Sequence, residues 1–282
     1  MVTREQLTRD LGGIAIVIGL LLAVTFLPPD TSLSEARAKG AIRACVPPLY
    51  PPLVTGDAER PGIDIEILRA VADHVGVRLL LASNDAIGRD FNPRHWNVTR
   101  GTCEVLAGGV VDSPLTRSFL DVGPSYAETG WAIIAPEPLG DIEGRTLGAL
   151  TLISGLDRIG LASYLRSKNV TVRVVRSREE LVAGIAAGTL DGGVSEALQA
   201  AELGSQNGWW DGPLPTPLAR YDLVFGLWKG DLTLKKEIEK SFRDLQSDGT
   251  LETILRRYGV EPLGELRTTS GVPSRSALID RG

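Results

Sequence analysis

His74 and His95, with Cys45 and Cys103, are the only histidines and cysteines in this 282-residue chain. They are spread along the sequence without the close pairing of zinc ligands, so no metal is expected. No nucleophile elbow, phosphate loop or glycine-rich dinucleotide turn is present, and no cofactor is expected. Carboxylates alone can act as general acids, yet no catalytic residue stands out and the chain is read as a non-enzyme. Binding chemistry is better represented. A zwitterionic guest loses its water when a cleft closes over it, so each of its charges needs a fixed partner. A guanidinium grips a carboxylate through two parallel hydrogen bonds, and an acid faces an ammonium. Gly108 and Gly109 end a strand and let a guest approach the backbone, or simply turn the chain. Asp112 lies five residues before Arg117. It is placed either to neutralise that cation in the empty state or to favour a guest with an extra positive group. Ser154 opens a helix and offers its N–H and hydroxyl, or serves only as a cap.

The elements that must position these residues alternate. Ala41–Val46 reads as a buried strand and is followed by a proline-rich turn through Leu53. Asp64 caps a helix in which Ile67, Leu68, Val71 and Val75 recur at helical spacing, and Gly76 stops it. Strands follow at Val77–Ala82 and Cys103–Gly108, with an irregular stretch and a short helix near Trp96 between them. A second unit has strands at Thr146–Thr151, Val170–Val175 and Leu190–Val194. Its helices run over Ser154–Ser167 and from the capping box Ser177–Glu180 to Gly188. Gly130–Ala135 and Tyr221–Leu227 look like crossings between the units. A long helix with Leu234, Ile238, Phe242 and Leu245 as its apolar stripe closes the fold. Then come Asp248-Gly249-Thr250 and a second helix. This order predicts an α/β fold of two lobes, each a mostly parallel sheet flanked by helices. Lobe 1 takes residues 40–131 and 222–262, and lobe 2 takes 132–221. The Ser/Thr/Arg-rich tail, 263–282, reads as disordered.

Net charge is −5, which does not favour a nucleic-acid partner. Leu11–Leu27 carries no charge, follows Arg4 and Arg9, and ends at Pro28-Pro29. Residues 1–38 are therefore a signal sequence, or a membrane anchor, with a linker. Ala36-Arg37-Ala38 is a candidate cleavage site, and cleavage and retention both stay open. Either way the positive-inside rule places the rest outside the cytoplasm. One disulfide, Cys45 to Cys103, is possible there if the two Cα atoms come within about 7 Å.

Five stretches occur together in order. They are Val46-Pro-Pro-Leu-Tyr50-Pro-Pro-Leu53; Pro61-Gly-Ile-Asp-Ile-Glu66; Ser113-Pro-Leu-Thr-Arg117 with Phe119 to Tyr126; Gly188-Thr-Leu-Asp191 with Glu196; and Tyr221 to Val260. Together they resemble solute-binding proteins of family 3, the amino-acid-type receptors of ABC importers. The resemblance covers nearly all of residues 40–262 and implies a type II periplasmic binding fold. It implies Tyr50 as an aromatic wall, Arg117 as the carboxylate clamp and Glu196 as the acid facing the ammonium. Ser154 would add donors from the opposite lobe. The implied partners are an amino-acid-like ligand, an ABC permease and, if the N-terminal segment stays, the membrane. Some positions depart from the pattern. Leu53 stands where an aromatic is usual, Glu196 where Asp is usual, and Arg117 falls one residue late.

Other readings share the fold. Accessory receptor-like proteins of quinone-cofactor alcohol dehydrogenases resemble the chain at Cys45, at Gly101-Thr-Cys103-Glu104-Val105 and at Leu152-Ile153-Ser154-Gly155. They depart from it at Tyr50-Pro-Pro. A dehydratase on the same fold is a further alternative. A fused transglycosylase is set aside, because no additional catalytic domain is read in the sequence.

Overall fold

The computed structural model describes residues 15–19, 30–88, 92–150, 156–214, 218 and 220–260. Residues 15–19 are helical. The rest of the apolar N-terminal run, the 263–282 tail and Ser154 lie outside the described residues.

Two five-stranded sheets organise the chain. The first has the order β2-β1-β3-β12-β4, from β1 (Ala41–Val46), β2 (Arg78–Ser83), β3 (Val105–Leu106), β4 (Asp121–Val122) and β12 (Gly226–Leu227). The second has the order β10-β6-β9-β7-β8, from β6 (Trp131–Ala135), β7 (Thr146–Ala149), β8 (Thr171–Val174), β9 (Gly192–Glu196) and β10 (Trp210–Pro213). Around β1 and around β7 the pairing is parallel, whereas β12, β6 and β10 run antiparallel to their neighbours. The α/β class is as the sequence predicts, with mixed rather than purely parallel sheets. Two short strands, β5 (Ala127–Thr129) and β11 (Tyr221–Leu223), pair with each other where the chain passes from one sheet to the other.

Alternation explains the buried strands. In β1, Ile42, Ala44 and Val46 face one apolar cluster, while Cys45 faces another with Trp96, Cys103 and Val122. A strand covered on both faces reads as a continuous apolar run, and AIRACV nearly does. In β6, Trp131 and Ile133 face one cluster, and Ala132 and Ile134 face a different one. Each five-stranded sheet with its helices is called a half below.

The helices are α1 (Ser32–Lys39), α2 (Ile63–Val75), α3 (Pro114–Phe119), α4 (Arg158–Ser167), α5 (Arg178–Ala186), α6 (Ala197–Asn207), α7 (Leu232–Ser247) and α8 (Thr250–Arg257). The stripe of α7 is fully buried at Leu234, Ile238, Phe242 and Leu245, each worth roughly 1.5–3 kcal/mol of burial. Phe242 meets Phe225, whose ring stacks on Tyr126 with centroids 5.1 Å apart. That stack seats Tyr126 beneath α2.

Several local expectations shift. Part of the expected linker is helical: α1 docks on α7, where Ser32 Oγ accepts from the Leu234 N–H at 3.2 Å. The helix expected from Ser154 runs from Arg158, because Asp157 takes the cap and accepts from the Gly160 N–H. The last strand of the second unit lies two residues later than expected and ends on Glu196. Cys45 and Cys103 are bridged, with Cα atoms 5.6 Å apart. Parallel pairing of β1 with β3 makes this possible by bringing Cys103, just ahead of β3, beside Cys45.

Candidate functional site

Arg117 lies on α3, a six-residue helix that starts at Pro114 behind the cap Ser113, whose Oγ accepts from the Thr116 N–H. Its side chain is about 39% exposed, and its guanidinium holds Asp112 through two bonds, Nε to Oδ1 at 2.5 Å and Nη2 to Oδ2 at 2.6 Å. The Asp112 bond makes Arg117 still harder to deprotonate than usual. Asp112 is itself fixed, since its N–H donates to the Asp222 carbonyl of β11.

Glu196 closes β9 and caps α6. One oxygen accepts from the Leu198 N–H at 3.0 Å and from the Thr129 hydroxyl, the other from the Gln199 N–H at 3.1 Å. The buried Tyr50 hydroxyl is a further hydrogen-bonding neighbour that holds the Glu196 pKa down. Glu196 is buried, and burial raises its pKa against the pull of those donors. Tyr50 belongs to the loop between β1 and α2, so this bond joins the two halves.

A second buried acid lies close by. Asp64 is on the first turn of α2, but Gly62 is the N-cap there. The carboxylate instead accepts from the Tyr126 hydroxyl at 2.5 Å and from the N–H groups of Gly108 at 2.6 Å and Gly109 at 3.4 Å. Burial raises its pKa to about 6, opposed by those bonds, and the Glu196 charge adds to the rise. Both glycines have positive φ and need to be glycine. A Cβ on Gly108 would lie 2.1 Å from the Pro47 ring, and one on Gly109 2.4 Å from the Tyr50 ring.

The expected residues therefore fall into two groups. Tyr50, Gly108, Gly109 and Glu196 converge on one buried polar seam, joined by Asp64, Tyr126 and Thr129. Arg117 and Asp112 form a pair of their own, and Arg117 bonds to Asp112 rather than to Glu196. The amides of Gly108 and Gly109 are spent on Asp64. The sequence shows Asp64 only as a helix cap, and nothing in it separates a surface cap from a buried acceptor. Among the described residues no group of three or more His, Cys, Asp or Glu side chains is placed to hold a metal.

A groove of about 710 Å³ also separates the β1–α2 loop and Tyr258 from α5 and α6. Leu49, Pro51 and Arg60 line one side, Glu179 and Glu202 the other. None of the expected site residues lines it. The buried seam is the stronger candidate, because burying acids costs stability and their donors are placed one by one.

Comparison with known proteins agrees with this architecture. The family model described as "Bacterial extracellular solute-binding proteins, family 3" matches residues 42–261. A solved ancestral cationic amino acid solute binding protein is similar to the chain, with a TM-score of 0.65, 17% identity, 80% of this chain covered and 99% of that one. An ABC uptake transporter substrate binding protein from Streptococcus pneumoniae, solved with bound histidine, has a TM-score of 0.63 and 18% identity over 82% and 96% of the two chains. Membrane-bound lytic murein transglycosylase F of Cronobacter sakazakii (strain ATCC BAA-894) is 25% identical over 93% of this chain. The chain spans 52% of that protein's length. This match to an enzyme overturns two expectations: that the chain is not an enzyme, and that a transglycosylase relationship can be set aside.

Proposed function

The chain belongs to the bacterial extracellular solute-binding proteins of family 3, and from that premise we propose that it captures a small zwitterionic solute, of amino-acid type, between two lobes. The lobes are the two halves, 40–131 with 222–262 and 132–221. It acts outside the cytoplasm and hands the solute to an ABC permease. The observation that carries this reading is the polar seam between the halves, where Glu196 of one meets Tyr50 of the other. Arg117 is the half-exposed cation for the guest's carboxylate and Glu196 the acid for its ammonium, with Ser154 as a further donor. Rotation at β5 and β11 opens and closes the cleft. A Kd of about 1 μM would correspond to a binding free energy of about −8 kcal/mol.

The N-terminal apolar segment delivers the chain across the membrane and either anchors it or is removed. We place any removal upstream of Ser32, because α1 is docked on α7. Mass spectrometry of the mature protein checks this; a start at Lys39 would refute it.

One observation favours a second reading. The side-on edge of Arg117 and the carboxylate of Glu196 already have internal partners, as suits a receptor-like accessory protein of a quinone-cofactor alcohol dehydrogenase. A thermal-shift screen over amino acids, amines and short-chain acids separates the two. A true ligand at 100-fold excess over its Kd stabilises the fold by about 2.7 kcal/mol. An accessory protein ignores every solute and co-purifies with the dehydrogenase. Product analysis of the same mixtures shows whether a bound solute is converted.

A further inference from the structure

A carboxylate has about four lone-pair positions, and Glu196 receives four donors: the Thr129 hydroxyl, the Leu198 and Gln199 N–H groups and the Tyr50 hydroxyl. Its acceptor capacity is full. Two of those donors are backbone groups locked in the first turn of α6, and Thr129 sits on β5. Thr129 therefore lies on the ribbon where the chain crosses between the sheets, and of the four donors only Tyr50 comes from beyond that ribbon, on the β1–α2 loop of the other half. It is the donor that leaves when the halves part. The same arithmetic holds at Arg117. Its side-on edge, Nε with Nη2, is the fork that fits a free carboxylate, and Asp112 fills it at 2.5 and 2.6 Å. A guest carboxylate must displace Asp112 or bind beside its negative charge.

We propose that Tyr50 and Asp112 are built-in placeholders for the two charged groups of the guest, and that they determine which guests bind. This rests on the solute-receptor reading. Tyr50 stands in for the guest's ammonium on Glu196, and Asp112 for its carboxylate on Arg117. A guest with only hydroxyl donors gains little by replacing a phenol. A charged ammonium gains more, since it adds to the hydrogen bond the Coulombic attraction of a full positive charge for the carboxylate, which a phenol lacks. Both placeholders therefore select for full zwitterions and against neutral solutes. They also keep the empty protein from burying uncompensated charge.

The experiment is calorimetric titration of the full chain and of Tyr50→Phe and Asp112→Asn with L-arginine and with agmatine, the same molecule without its carboxylate. Tyr50→Phe keeps the ring packed on Gly109 and removes only the competing donor. It is expected to tighten both ligands by roughly five- to tenfold, the worth of one hydrogen bond. Asp112→Asn is expected to tighten L-arginine by a similar factor and leave agmatine unchanged. Binding by either variant that equals or falls below that of the unaltered chain overturns the placeholder assignment and leaves the receptor reading standing. If no protein binds either compound or any other amino acid of the thermal-shift screen, the receptor reading fails. The Tyr50 contact is then judged without a guest, by small-angle scattering. A larger radius of gyration in Tyr50→Phe supports a clasp between the halves, and an unchanged radius overturns it.

Discussion

Asp64 illustrates how much a single residue's surroundings can change its role. In the sequence it is an acid at a helix start, a position that usually means a solvated cap. In the fold it is fully buried, and burial, opposed by Tyr126, Gly108 and Gly109, lifts its pKa from 3.8 to about 6. The sign follows from proton linkage. Between those values the folded state binds more protons at Asp64 than the unfolded chain does, so the stability this group contributes is fully present below about pH 4 and is lost as pH rises through 6. The displacement is worth about 3 kcal/mol. Asp64→Asn should flatten that part of the profile, as read by urea midpoints at pH 4, 5, 6 and 7; an unchanged slope would refute the assignment. The sequence singles out Arg117 and Glu196 only because their types suit a carboxylate and an ammonium. Their internal partners were not legible, since Asp112 and Tyr50 reach them through turns whose geometry no local pattern specifies. Arg117→Ala should weaken amino-acid binding by about 2–5 kcal/mol where closure buries its pair with the guest's carboxylate, the range for truncating one side of such a buried pair. Titration that finds unchanged affinity would remove Arg117 from the site.

Elements were easier to read than contacts. The stripe of α7 and the buried run of β1 follow from periodicities of 3.6 and 2, and both packed accordingly. Boundaries differ where caps decide them: Asp157 caps α4, which starts at Arg158, and β9 runs on until Glu196 caps α6. The disulfide needed tertiary information, because only the pairing of β1 with β3 brings the two cysteines together. Replacing both with Ala should cost about 2–4 kcal/mol, visible as a lower denaturant midpoint in the oxidised protein; an unaltered midpoint would mean the bridge adds nothing. Gly62 is a second element-level constraint. Its φ is +110°, and a Cβ there would lie 2.3 Å from the Leu53 carbonyl oxygen. Gly62→Ala should lose about 1–3 kcal/mol through backbone conformation alone, with the collision adding to it. Thermal unfolding with an unchanged midpoint would contradict this.

For the molecule as a whole, two sheets joined by the β5–β11 ribbon set the terms. That ribbon is short, and Asp112, Tyr126 and Thr129 all attach to it or lie within it. On the proposed reading, a change of its angle moves Arg117 and Glu196 relative to one another, and so would couple guest binding to closure. The two-sheet order was legible from strands alternating with helices, whereas the antiparallel placement of β6 and β12 was not, because it depends on where the chain crosses. The relationship to a lytic transglycosylase belongs to this scale too, since half of that protein's length has no counterpart here. The most direct test is a crystal structure of the chain grown with the amino acid that gives the largest thermal shift. The expected result puts the guest's carboxylate within hydrogen-bond distance of Arg117 and its ammonium on Glu196, with Tyr50 displaced. A guest seated instead in the groove between the β1–α2 loop and α5, with the Arg117–Asp112 and Tyr50–Glu196 bonds intact, would contradict the account.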